Sequence, residues 1–184
     1  MGHFRPIPGT QEAIAGGVIR HAMYLMPEAN GLTEAQMRSI QDSTARRDIV
    51  ARVEGVSIDS ERQWGQMDVS QMLAHAADQL RIALGDINVD RARGPLQFAP
   101  MRYLMIYVLP WPKGKAKAPH EALTTAPTDV EEDRATLLSL IDRFATTPPS
   151  DEPPLHPLFG RMTARDWDVF SYRHLDHHLR QFSA

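Results

Sequence analysis

Asp68-Val69-Ser70-Gln71-Met72-Leu73-Ala74-His75-Ala76-Ala77-Asp78-Gln79-Leu80-Arg81-Ile82-Ala83-Leu84-Gly85 is the stretch on which the reading of the fold turns. Asp68 can cap the first turn while Gln71 reaches back to it, a reciprocal pairing that satisfies two N–H groups at a helix start. Val69, Met72, Leu73, Ala76, Leu80, Ala83 and Leu84 then recur at helical spacing, and Gly85 supplies the stop. The spacing predicts an amphipathic helix over 68–85. Such a helix must bury its stripe against another element, so its neighbours decide the class.

Working outward, Ile40, Ile49, Val50 and Val53 among Arg and Asp predict a helix over 33–54, with Gly55 as its stop. The apolar run 100–109 (PMRYLMIYVL) suits a short helix with Pro100 in its first turn. From 110 to 127 four prolines and Gly114 predict a long loop. Thr128-Asp129-Val130-Glu131 resembles a second capping box, opening a helix over 128–145 whose apolar positions are Leu137, Leu138, Ile141 and Phe144. Residues 146–157 hold five prolines and read as a linker. Thr163, with Asp166 three residues on, caps a final helix over 163–182. No stretch alternates as a strand does, and no Asn-Gly turn occurs. The expected fold class is all-α: an antiparallel four-helix bundle with a short extra helix and a long crossover loop. Residues 1–32 read as an N-terminal extension, and 33–184 as the bundle domain.

Composition narrows the functions. The chain has 184 residues, 42% hydrophobic and 23% charged, enough for one domain with a core that needs no covalent staple. It has no cysteine, which removes disulfide scaffolds, thiolate metal sites and cysteine nucleophiles together, and suits a reducing cytoplasm. With 20 Lys+Arg against 23 Asp+Glu the formal net charge is −3, an argument against nucleic acid as a partner. No apolar run approaches the ~20 residues of a membrane span, and Glu12, Arg20 and His21 interrupt the stretch that a secretory leader would need. There is no G-x-S-x-G elbow, phosphate-binding G-x-x-x-x-G-K, G-x-G-x-x-G or H-E-x-x-H.

Imidazole is the unusual reagent. Four of the eight histidines, His156, His174, His177 and His178, lie in the last 29 residues. In the last helix Leu175, Leu179 and Phe182 define the apolar stripe. At about 100° per residue, His178 falls about 60° from its centre and His174 about 100°, on the same side. His177 comes out about 160° away, facing solvent. His174 and His178 are thus i, i+4 neighbours that can converge on one ion. On the helix at 68–85, His75 lies off the apolar centre in line with Met72, Gln79 and Ile82. If the two helices are neighbours, His75 meets the pair at the seam. Three imidazoles with open positions are how catalytic zinc sites are built, though imidazole also suits nickel, iron and copper, so ligand type alone does not select the metal. An H-x-x-x-H pair is equally an ordinary pair of hydrogen-bonded residues at the edge of a core.

Four blocks together bear a resemblance: Arg62-Gln63-Trp64-Gly65-Gln66-Met67, Gln71-Met72-Leu73-Ala74-His75, His156-Pro157-Leu158-Phe159-Gly160, and Tyr172-Arg173-His174-Leu175-Asp176-His177-His178-Leu179-Arg180-Gln181-Phe182. Their order and spacing, over about residues 45–184, resemble an uncharacterised domain family within the DinB/YfiT-like superfamily of metalloenzymes. The resemblance implies a four-helix bundle whose metal is held by one histidine on the second helix and an H-x-x-x-H pair on the last. Carried over, the ligands are His75, His174 and His178, and the metal is divalent, zinc or nickel. It implies an enzyme acting on a small-molecule substrate by thiol-dependent transfer or isomerisation, with a low-molecular-weight thiol, or by hydrolysis. It also implies a homodimer, to which 100–109 could contribute. The alternative is a non-catalytic helical interaction or stress-response protein, its metal structural or absent.

Further residues are weighed beside the trio. Gln79 and Gln181 could support the site, and Trp64 and Trp167 could wall a pocket, although edge glutamines are usually solvated and tryptophans usually core. Lys113, Lys115 and Lys117 could attract an anion or lie in a solvated loop. His156 could reach the pocket, but a loop-packing role for its block is favoured, with Phe159 as anchor and Gly160 allowing the turn. His177 is the substitute ligand if the last helix is rotated. His3, His21 and His120 are surface candidates.

Overall fold

Asp42 opens the first helix of the computed structural model, which describes residues 37–90, 92, 94–114, 118–147 and 150–184. Its carboxylate accepts the N–H groups of Thr44 and Ala45, so α1 spans Ser43–Gly55; of the expected 33–54, residues 37–42 are not helical and 33–36 lie outside the described residues. Ile40 was read as part of that helix because it fits the spacing. It enters the core from the irregular segment ahead of α1, where the Gln41 N–H donates to Asp168 at 2.9 Å. The expected extension 1–32, with His3 and His21, lies outside the described residues.

α2 spans Val69–Leu84, with the Asp68–Gln71 capping box formed and Gly85 left-handed at φ 82°. α3 spans Ala99–Tyr103 with Pro100 in its first turn, then widens into a π turn over Leu104–Val108. A π turn leaves carbonyls open to other donors. Arg173 donates to the carbonyls of Met105, Ile106 and Leu109, and the Trp111 indole N–H also donates to Met105. The long loop then passes through a short 3₁₀ turn, His120–Leu123.

α4 spans Val130–Thr146 and corrects the second predicted cap. Asp129, not Thr128, accepts the N–H groups of Glu131 and Glu132, while Thr128 donates to Asp133. α5 spans Ala164–Gln181 with the Thr163–Asp166 box present. Between α4 and α5 lie two strands that the sequence reading did not anticipate: β1 Leu155–His156 and β2 Gly160–Arg161 pair antiparallel. The His156 ring closes their turn, its Nδ1 accepting from Leu158 and Phe159, and Gly160 at φ 68° completes it. Two-residue strands are too short to carry a period.

The architecture is mostly helical. α1 packs on α4 and α5, and α2 packs on the same two helices. Ile49, Val53, Leu73, Leu80, Leu137 and Leu179 fill the core between them. Burying each such side chain contributes about 1.5–3 kcal/mol. A second cluster, with Ile82, Ile106, Phe159, Trp167 and Phe170, covers the other end of the α2–α5 seam. Among the described residues, no helix is long and apolar enough to cross a membrane.

Candidate metal centre

α2 and α5 are neighbours, and that adjacency brings the three histidines together. The His75 ring lies 4.9 Å from that of His174 and 4.8 Å from that of His178, centroid to centroid. The His174 and His178 rings are 4.6 Å apart, a contact that i, i+4 neighbours on one helix face can make. One nitrogen from each of the three lies within 4.8 Å of the other two. A tetrahedral ion with bonds of ~2.0–2.1 Å holds its nitrogens about 3.3 Å apart. The donors therefore lie within about 1.5 Å of that spacing.

Each ring is held neutral. Burial lowers His75, pushes His178 down to about 3, and takes His174 well below its ordinary value, helped there by the neighbouring His178 and His75. Two tautomers follow from the partners. His75 Nδ1 is 2.7 Å from the Ala122 carbonyl, which can only accept, so Nδ1 carries the proton and Nε2 the lone pair. His178 Nδ1 faces Gln181 Oε1 at 3.0 Å. The orientation of that amide is set from behind, because its NH₂ must donate to the Trp64 carbonyl at 2.8 Å. Oxygen acceptors behind Nδ1 are the usual arrangement for imidazoles that present Nε2 to an ion. Buried His174 Nδ1 has no hydrogen-bond partner among the described residues. Neutral nitrogen donors and an orphaned imidazole atom fit a divalent ion.

The glycine of the 62–67 block is part of this support. Gly65 sits at φ 81°, and a Cβ there would stand 2.6 Å from Gln181 Nε2. Gly65→Ala is expected to push that amide off His178 and strain the backbone. Together these lower stability by about 1–3 kcal/mol. A chemical-denaturation midpoint equal to wild type would contradict this.

Other expected residues fall differently. His177 was expected to face solvent. It is half-buried, between Trp64 at 5.8 Å and Trp111 at 5.7 Å, because the 61–67 and 110–114 loops cover that side of α5. His156 does not join the trio: it is buried among Phe159, Trp167 and Phe170, and its Nδ1 serves the hairpin. Gln79 is buried, not solvated, and donates to Ser171 Oγ at 3.2 Å. Trp167 is core, with its N–H on the Pro154 carbonyl, whereas Trp64 stands at the rim. Lys113 lies 4.5 Å over the Trp64 ring. Lys115 and Lys117 lie outside the described residues, and His120 is exposed.

The sequence reading missed Trp111, whose ring is 6.1 Å from His174, and the Ala122 carbonyl. A tryptophan in a proline-rich loop was the available signal for the first, and nothing local could reveal the second.

No curated protein and no solved structure matches the chain. One family does, described as "Protein of unknown function (DUF1569)", over residues 36–184. That span takes in every helix above, all four sequence blocks and the three convergent histidines, and the chain belongs to this family.

Proposed function

We propose that this chain is a metal-dependent enzyme of the DinB/YfiT-like four-helix type, with His75, His174 and His178 holding a divalent ion, zinc or nickel, and a small molecule as substrate. The observation that carries the reading is the convergence of three neutral imidazoles, two with Nδ1 already facing an oxygen acceptor. The placement of one histidine on α2 and an H-x-x-x-H pair on the last helix supports the superfamily assignment. When bound, such an ion supplies Lewis acidity, polarising a water or a substrate heteroatom near neutral pH.

The rest is the work of the chain's own groups. Ala122 and Gln181 keep two ligand rings aimed. Trp64, Trp111 and His177 make an aromatic rim that limits water around the trio. Lys113 at that rim favours a substrate bearing negative charge. With no cysteine in the chain, the thiol of a thiol-dependent transfer or isomerisation comes from a low-molecular-weight partner; hydrolysis needs only water. Exposed Phe98, Met101 and Tyr103, on and just ahead of α3, support pairing with a second copy.

Metal analysis of untagged full-length protein tests the reading. The expected result is one equivalent per chain, lost in His75→Ala and His174→Ala. Substoichiometric metal, or alanine variants that bind as much as wild type, would sink it. If chelation instead collapses the fold and no exchangeable position is detectable on the ion, the metal is structural and the protein a non-catalytic module.

A further inference from the structure

Asp78 lies one turn beyond His75 on α2 and is fully buried, yet the chemistry above makes no use of it. A buried carboxylate without partners is expensive, so its partners are informative. Five donors converge on it. The Thr124 N–H and hydroxyl reach Oδ2 at 2.8 and 3.0 Å, and the Thr125 N–H reaches the same oxygen at 2.8 Å. The Thr125 hydroxyl and Arg81 meet Oδ1 at 2.5 and 2.9 Å, and Arg81 also donates to Thr125 Oγ1. Burial alone would raise this carboxyl's pKa, but the hydrogen bonds from Thr125, Arg81 and Thr124 hold it below the ordinary carboxylate value.

The gripped residues are the ones that follow Ala122. Thr124 and Thr125 come two and three positions after the carbonyl that faces His75 Nδ1 at 2.7 Å. His75 and Asp78, at i, i+3, share one face of α2. That face therefore holds the loop at two points: the carboxylate takes the loop's donors, and the loop returns an acceptor to the imidazole. Within the loop the Ala122 N–H donates to the Pro119 carbonyl at 3.0 Å, and the Ala122 methyl is buried.

We propose that Asp78 is a positioning residue for His75: by fixing Thr124 and Thr125 it aims the Ala122 carbonyl at Nδ1, keeps the proton there, and leaves the Nε2 lone pair for the trio. This rests on the metal reading only for what the lone pair serves. The tautomer itself does not depend on metal.

The test uses metal-free, full-length chain with ¹⁵N-labelled histidine, read by long-range ¹H–¹⁵N correlation near pH 7.5. In wild type, His75 and His178 are both expected as the Nδ1–H tautomer. In Asp78→Asn, His75 is expected to populate the Nε2–H form while His178, whose acceptor is Gln181, stays as it was. A general loosening would move both. Zinc added to the same sample is expected to bind one to one, with Kd raised about 10–100-fold.

Thr125→Val removes one hydroxyl donor and keeps the carboxylate. It is expected to shift His75 the same way by less, and it decides the matter if Asp78→Asn does not fold. A folded variant that keeps His75 wholly Nδ1–H, with zinc affinity within about twofold of wild type, makes Asp78 a loop tether and overturns the proposal. A wild-type His75 already in the Nε2–H form overturns it as well. If wild type binds no zinc, the metal reading fails alone, and the tautomer comparison still decides the role of Asp78.

Discussion

Replacing His174 with alanine is expected to weaken zinc binding by more than about 100-fold, since loss of a supporting residue alone typically removes 10–100-fold. The metal-free fold should survive nearly unchanged. His174 is buried, and truncating a buried ring normally leaves a costly cavity. Its Nδ1, however, is a buried polar atom with no hydrogen-bond partner among the described residues, and removing such an atom recovers about 1–3 kcal/mol. The two effects offset, leaving a metal-free change within about 1–2 kcal/mol.

Leu175, the next residue, is the control. It is fully buried in the core, so Leu175→Ala should lose about 2–5 kcal/mol with or without metal. Zinc at 100 times its Kd should stabilise wild type by about 2.7 kcal/mol, and Leu175→Ala by a similar amount where it remains folded. His174→Ala should gain nothing. Thermal melts of the three proteins with zinc and with chelator check this. A zinc-dependent shift in His174→Ala equal to wild type would contradict it.

The second large effect is acid lability. Burial holds His156 and His178 at about 3 in the folded chain, against an ordinary 6.5. Folded-state values below the unfolded ones mean that the unfolded chain binds more protons throughout that window. Stability is therefore fully present above about pH 6.5 and falls as pH drops towards 3. At pH 5 each of these two rings removes about 2 kcal/mol. His174 and His75 are shifted the same way and add to the loss. Against a total stability of about 5–15 kcal/mol, the metal-free chain should unfold between about pH 5 and 4.

Most carboxylates titrate lower, so they enter after the histidines. Zinc should raise the melting temperature at pH 7.5 and do so progressively less towards pH 5, because protons compete for the same nitrogens. Helical circular dichroism during heating, with chelator, from pH 7.5 to 4 measures the effect. A melting temperature that is flat from pH 7 to 5 would show that the rings are not buried neutral.

What could be read from the sequence was local. The Asp68–Gln71 and Thr163–Asp166 boxes lie within four residues, and both formed. The His174–His178 ridge lies within one turn of one helix, so a helical wheel was sufficient. The wheel then misplaced His177, because it treats every non-core direction as solvent and cannot know that two loops return over α5. The second cap slipped by one residue, since Thr128 and Asp129 both fit the pattern and only the carboxylate reaches the first two free N–H groups.

Bringing His75 to the pair required the tertiary adjacency of α2 and α5, which the sequence could state only as a condition. Ala122 was beyond reach for a different reason: it acts through its backbone carbonyl, which every residue has, from 47 positions away. Gln181 was visible as a continuation of the ridge. Its orientation depends on the Trp64 carbonyl 117 residues earlier, which no spacing rule reports.

The most direct test is anomalous diffraction at the zinc edge from crystals of the full-length chain grown with zinc. The account predicts one strong peak between His75, His174 and His178, with three imidazole nitrogens at about 2.0–2.1 Å and at least one further position open to water or ligand. A peak held elsewhere, for example at exposed His120, with nothing between these three rings, would contradict it.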